Sequence, residues 1–181
     1  MSRMTNLLLV GTLGALGSLP TACSSGESIA RVRVKHASLA FDVPADWQRT
    51  DQRNQRGVAT AVWQPDDNDR KESITVIRTE LSPAVAKAGA VGIEPYLAAA
   101  QRSLPDARVS KTKRIKTAHG LEGVRVDLEF TPQGQSDPYR RAHVVLVDGS
   151  ALVHVLYTAL EPDRDFDALG VVLDNLQHEG A

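Results

Sequence analysis

Arg141-Ala-His-Val-Val-Leu-Val-Asp-Gly-Ser-Ala-Leu-Val-His-Val-Leu-Tyr-Thr-Ala159 reads as two strands about one tight turn. Valine, leucine and tyrosine crowd both arms, and Asp148-Gly149 between them is a strong hairpin signal. Neither arm alternates cleanly between apolar and polar, so both faces of this hairpin must be covered in the middle of a sheet. The covers are sought in helical patterns on either side. Downstream, Phe166, Leu169, Leu173 and Leu176 form one stripe of a helix from about Asp165. Asp163, Asp165 and Asp167 sit near its positive N-terminal end. Upstream, Ile93, Leu97, Ala100 and Leu104 share a face of a helix that begins near Pro95 and stops at Pro105. Ser82-Pro83 marks another helix start, interrupted by Gly89 and Gly92.

Strand patterns fill the remainder. Val32 to His36 is short. Leu39, Phe41 and Val43 alternate and stop at Pro44, with Ala45-Asp46-Trp47 as a turn. Val58 to Gln64 and Ser73 to Leu81 follow, joined by the polar loop Asp66-Asp67-Asn68-Asp69. Val109 to Thr117 carries Lys111, Lys113, Arg114 and Lys116, and His119-Gly120 turns the chain. Val124, Val126, Leu128 and Phe130 then alternate with Arg125, Asp127 and Glu129 in a clean period of two. The fold class expected is α+β, an antiparallel β-sheet sandwiched between helices, in one domain over residues 31–178.

The N-terminal stretch carries an address. After Arg3, Leu7 to Leu19 is free of charge. Thirteen helical residues reach roughly 20 Å, short of the roughly 30 Å bilayer core, so this is a signal-peptide h-region rather than a span. It ends in Leu19-Pro20-Thr21-Ala22-Cys23, which resembles a lipobox, the site where bacterial prolipoproteins are acylated on cysteine and cleaved before it. The pattern places leucine three residues before the cysteine; here Pro20 stands there and Leu19 lies one further back. Residues 1–22 are thus read as a signal peptide, Cys23 as the lipidation site and residues 23–30 as a tether reaching some 25 Å at most. More than one acyl chain on Cys23 would hold the protein stably to the lipid bilayer. A plain secretory signal cut near Ala22 is the alternative.

Composition excludes several classes. Lys plus Arg number 21 against 22 Asp plus Glu, and Arg3 is the only charge ahead of Cys23, which argues against a nucleic-acid partner. One cysteine excludes a disulfide framework and a cysteine-based zinc site. The apolar fraction of 42% is too high for a disordered chain.

Two stretches carry a resemblance. Leu39-Ala-Phe-Asp-Val-Pro-Ala-Asp-Trp47 resembles the opening strand, proline, turn and tryptophan of the PsbP-like and DcrB-like superfamily. Leu152-Val-His-Val-Leu-Tyr-Thr-Ala159 with the helix to Leu176 is similar to its closing strand and helix. Small actinobacterial lipoproteins of the LpqN and LpqT kind carry this domain behind a lipobox. The resemblance, over about Val32 to Leu176, implies a binding protein, an extrinsic subunit or a chaperone rather than an enzyme, and no catalytic residue to carry over.

The residues with chemical potential read as structural. The five histidines, His36, His119, His143, His154 and His178, show no metal-ligand spacing. His154 shares a strand face with Leu152 and Leu156 and is expected in or beside the core. Ser150 at a hairpin tip has no evident base; a hydrolase would have to pair it with a distant group such as His119. Asp66 to Asp69 with Glu72 lack the glycine and glutamate places of an EF-hand loop. Trp47 and Trp63 are core or rim anchors. The lysine-rich strand is read as a protected sheet edge, with contact to anionic lipid as the rival. No cofactor and no metal is expected. The function expected is a non-catalytic, membrane-anchored binding module for an envelope protein or an apolar ligand. A chaperone-like module shielding hydrophobic segments and a hydrolase with an unrecognised site are the alternatives.

Overall fold

The computed structural model describes residues 30–50, 58–66, 71–88, 93, 97–98, 102, 106–160 and 167–179. Its strands are β1 (Arg31–His36), β2 (Leu39–Pro44), β3 (Trp47–Thr50), β4 (Ala59–Pro65), β5 (Ser73–Glu80), β6 (Arg108–Val109), β7 (Lys113–Lys116), β8 (Glu122–Phe130), β9 (Tyr139–Asp148), β10 (Ala151–Leu160) and β11 (Gln177–His178). Helix α1 (Pro83–Ala88) begins at the expected Ser82-Pro83 signal, and helix α2 (Asp167–Asn175) precedes β11.

Eight strands form an antiparallel sheet in the order β3-β4-β5-β10-β9-β8-β6, with β7 also on β8. The quoted hairpin lies inside it, as its two apolar faces demand: β10 is flanked by β5 and β9, and β9 by β10 and β8. The turn is one residue later than the Asp148-Gly149 signal. Asp148 is the last strand residue, opposite Ala151, and Gly149 with φ 57° opens a two-residue turn with Ser150. A positive φ at that position favours glycine.

The cover of the first face differs from the helix expected. A separate three-stranded sheet, β1-β2-β11, packs there beside α2. Leu39, Phe41 and Val43 of β2 point into a core with Trp63, Ile74, Val76, Val153, Val155 and Tyr157 of the large sheet. The rings of Phe41 and Trp63 meet edge to face at 5.1 Å. Strand β11 escaped the sequence reading because two residues hold no period; it forms because Gln177 and His178 find a free edge at Ala40 and Leu39. Trp47 opens β3 rather than ending a turn, because its buried ring joins the same core. The stripe on α2 is also turned slightly: Ala168, Leu169 and Val172 are buried with Leu176, while Leu173 only flanks the core.

On the second face, Ile93 and Leu97, from the stretch expected to be helical, are buried with Val124, Val126, Leu128, Val145 and Leu152. Most of that predicted helix, its Ala100 and Leu104 included, lies outside the described residues, as do Phe166, Asp163 and Asp165. What the described residues establish is an α+β fold built on an antiparallel sheet.

The strand expected over Val109 to Thr117 is split in two. Val109 lies opposite Leu128 and Lys113 opposite Arg125, with Ser110 N–H donating to the Asp127 carbonyl at 2.9 Å. Lys111 and Thr112 therefore oppose Val126 together, a β-bulge that bends the edge. On the inner side β8 presses close to β9 at Gly123, where a Cβ would lie 2.1 Å from the Val145 carbonyl oxygen.

Candidate functional site

Three groups of polar side chains stand out from this frame. The first is on the second face of the large sheet. His143 of β9 and His154 of β10 lie diagonally across the central hairpin, and His143 Nε2 is 3.2 Å from His154 Nδ1. Their rings are 5.5 Å apart and tilted by 32°. Burial holds the His143 imidazole down at about 4, with His154 and then Arg141 adding to the effect. Burial likewise lowers His154. Both rings are neutral at neutral pH, so one N–H can donate to the other's bare nitrogen. His143 Nδ1 is buried without a hydrogen-bond partner. Two nitrogens at this spacing suit neighbouring ligands on a tetrahedral ion. The pair nevertheless makes a poor metal site. Among the described residues no third His, Cys, Asp or Glu joins it, and Arg141 two residues along the same face repels a cation. Arg141 donates to Thr158 Oγ1 at 3.1 Å and lies over the Phe130 ring at 5.1 Å, closing that end of the row.

The second group ties the two sheets together. Asp148, 3% exposed, lies against His178 Nε2 of β11 and has Arg78 Nε at 3.6 Å. Arg78 also reaches Glu80 at 2.5 Å, and Glu80 accepts the Ser150 hydroxyl at 3.3 Å. This places Ser150, the residue a hydrolase would need, on a carboxylate. His119 is exposed in the turn between β7 and β8. Deeper in the same core, the Tyr157 hydroxyl donates to Glu72 at 2.5 Å. Burial and that carboxylate push the phenol well above its ordinary range. Glu72 thus faces inward, away from the acidic loop it follows in sequence. Asp66 is exposed, while Asp67, Asn68 and Asp69 lie outside the described residues.

The third group is the edge formed by β6 and β7. Lys111, Lys113, Arg114 and Lys116 are all exposed. Lys116 pairs with Glu122 at 3.1 Å, Arg125 with Asp127 at 2.7 Å and Arg108 with Glu129 at 3.6 Å. Lys111, Lys113 and Arg114 have no acidic partner among the described residues. Two open hollows of about 330 Å³ flank this edge. Arg108, Ser110, Asp127, Glu129 and Arg140 contribute to one, Arg114, Ile115, Lys116, Glu122 and Gly123 to the other.

Trp47 and Trp63 are buried core anchors, as the sequence suggested. Cys23 lies outside the described residues. The histidine pair was missed, although its signal was present: in a hairpin closed at Asp148 and Ala151, positions 143 and 154 fall diagonally opposite.

No protein-family model and no curated protein matches the sequence. Among solved structures, the fold is similar to that of LpqN, involved in cell envelope biogenesis of Mycobacterium tuberculosis. The TM-score is 0.53 at 17% identity, covering 82% of this chain and 90% of that one. A protein of Bacteroides thetaiotaomicron is similar with a TM-score of 0.52 at 10% identity, covering 78% of this chain. This chain spans 45% of that protein's length. At such identities the likeness is one of fold, and it agrees at that level with the resemblance read from the sequence.

Proposed function

We propose that the protein is an extracytoplasmic lipoprotein, anchored through acylated Cys23, whose domain is a non-catalytic binding module of the cell envelope. The observation that supports this reading is an LpqN-like fold preceded in sequence by the uncharged stretch Leu7 to Leu19 and the chain's single cysteine. The polar clusters support it from the other side. The histidine pair is buried and neutral, Ser150 is held by Glu80, and Asp148 joins two sheets, so each is occupied with structure. Between an envelope protein and an apolar ligand as partner, the described hollows favour the protein, because they are open and rimmed with charge. A tether of at most some 25 Å keeps the domain within reach of membrane-bound partners.

Anchoring is tested in a bacterial host fed a clickable fatty acid. Wild type is expected to take the label and to enter the detergent phase; Cys23→Ser is expected to do neither. An unlabelled wild type, processed near Ala22, would replace the lipoprotein by a plainly secreted protein.

A further inference from the structure

We infer that the β6–β7 edge is a docking strand for an acidic, extended segment of a partner protein, which adds to the large sheet as its next strand. The inference deepens the binding-module reading by naming a partner chemistry, and it stands on four features of this edge.

The first is backbone geometry. In an antiparallel ladder successive residues turn their N–H and C=O groups alternately toward and away from the neighbour. Thr117 N–H donates to the Leu121 carbonyl, on the β8 side. Ile115 and Lys113 therefore also face β8, and the backbone groups of Arg114 and Lys116 face outward. The second is charge. Neighbouring cations are neutralised by Glu122, Asp127 and Glu129, whereas Lys111, Lys113 and Arg114 are not. The third is the disposition of that charge. Side chains alternate along a strand, so Lys113 lies on one face of the sheet and Arg114 on the other. A flat anionic surface such as a bilayer cannot meet both. An added strand can, because its own side chains also alternate. The fourth is Val109, an outward position of β6 that is 45% exposed, one of two large apolar residues so exposed among those described.

Lysines on an edge discourage a second copy of the same edge by like-charge repulsion, and the bulge at Lys111 and Thr112 shortens the run available. Neither feature opposes a strand of the opposite charge. In antiparallel pairing the complement of Lys113-Arg114-Ile115-Lys116 reads Glu-Val-Glu-Glu, with valine on Ile115 and glutamates on the three cations. Strand addition of this kind takes affinity from main-chain hydrogen bonds and selectivity from alternate side chains.

The test uses the full chain, isotope-labelled at its amides, and the peptide acetyl-Thr-Glu-Val-Glu-Glu-Thr-amide. Saturable shifts are expected at amides 109 and 113–117, and affinity should fall about tenfold or more as salt rises from dilute to about 0.5 M. Methylating the amides of the glutamates opposite Lys116 and Arg114 should abolish binding, as should the Lys113→Glu, Arg114→Glu double variant. The methylated peptide needs no variant and so reads out even if the double variant misfolds. Shifts confined to another surface, equal binding by the methylated peptide, or no saturation by the parent would each overturn the proposal. So would retention of the full chain on phosphatidylglycerol vesicles that is lost in the double variant but not in Cys23→Ser, since the edge would then serve the membrane. None of these failures bears on acylation of Cys23, so anchoring and docking are judged separately.

Discussion

The hairpins β9–β10 and β7–β8 sit side by side in one sheet, since β8 pairs with β9. Both reverse the chain tightly, through Gly149 with φ 57° and through Gly120 with φ 86°. Their arms differ. β9 and β10 present valine and leucine to both faces and are paired on both sides along nearly their whole length. β7 is a four-residue edge strand, basic on both faces, beyond a bulge. The first hairpin gains its stability from area removed from water, while β7 of the second contributes charge and, among the described residues, outward-facing backbone groups at the boundary of the same sheet. One sheet therefore holds a buried apolar centre and an exposed, charged rim.

The sharpest way to break this contrast is to truncate one apolar side chain at the centre and one at the rim. Leu146→Ala on β9 is expected to cost about 2–5 kcal/mol, as a fully buried residue that leaves a cavity. Val109→Ala on β6 should stay within about 0.5 kcal/mol. Denaturant melts of the two variants check both values, and similar losses would mean that the rim is as tightly integrated as the centre.

The histidine pair gives the central hairpin a pH signature. His143 is depressed from an ordinary 6.5 to about 4 in the folded state. The unfolded chain therefore binds a proton more readily. The stability it protects is complete above about pH 6.5, falls as pH drops through that value, and is exhausted near pH 4. A gap of this size corresponds to about 3 kcal/mol. Melts from pH 8 to pH 4 should show the decline for wild type, and His143→Leu should flatten it. An unchanged slope in that variant would place the acid sensitivity elsewhere.

A smaller loss is expected where the two hairpins touch. Gly123→Ala places a methyl group on the Val145 carbonyl, so β8 must move away from β9 at a cost of about 1–3 kcal/mol. Because Gly123 also lies opposite Ile115, amide exchange should rise most in residues 113–117 and 122–125. Exchange rising evenly over β10 instead would show that the edge and the centre open as one unit.

How far the sequence could be read follows the same division. The central hairpin, the alternation of β8 and the apolar run of β2 were legible because each repeats its pattern over several residues. The β1–β2 turn was not. Ala37 and Ser38 both adopt positive φ, at 51° and 67°, where glycine or asparagine is the usual signal. Here the flanking pairs, from His36 opposite Leu39 outward, impose a conformation that the turn residues do not favour. For the candidate sites, Cys23 is proposed from a motif and lies outside the described residues. The basic edge was legible as composition, and its bulge was not.

By itself the sequence determined the α+β class and the placing of the Arg141–Ala159 hairpin at the sheet centre. Each rests on local chemistry or on a period within one segment. Only the tertiary structure decided that β2 leaves the large sheet to cover it, that β11 closes the small sheet, that His143 meets His154 and that Asp148 receives His178. Those are choices of partner between segments up to 144 residues apart, as in the Lys35 donation to the Glu179 carboxylate at 2.5 Å. A strand's pattern says which face seeks burial, but not which surface will supply it. That is settled by the packing of all the faces at once, where interior density leaves few arrangements free of voids.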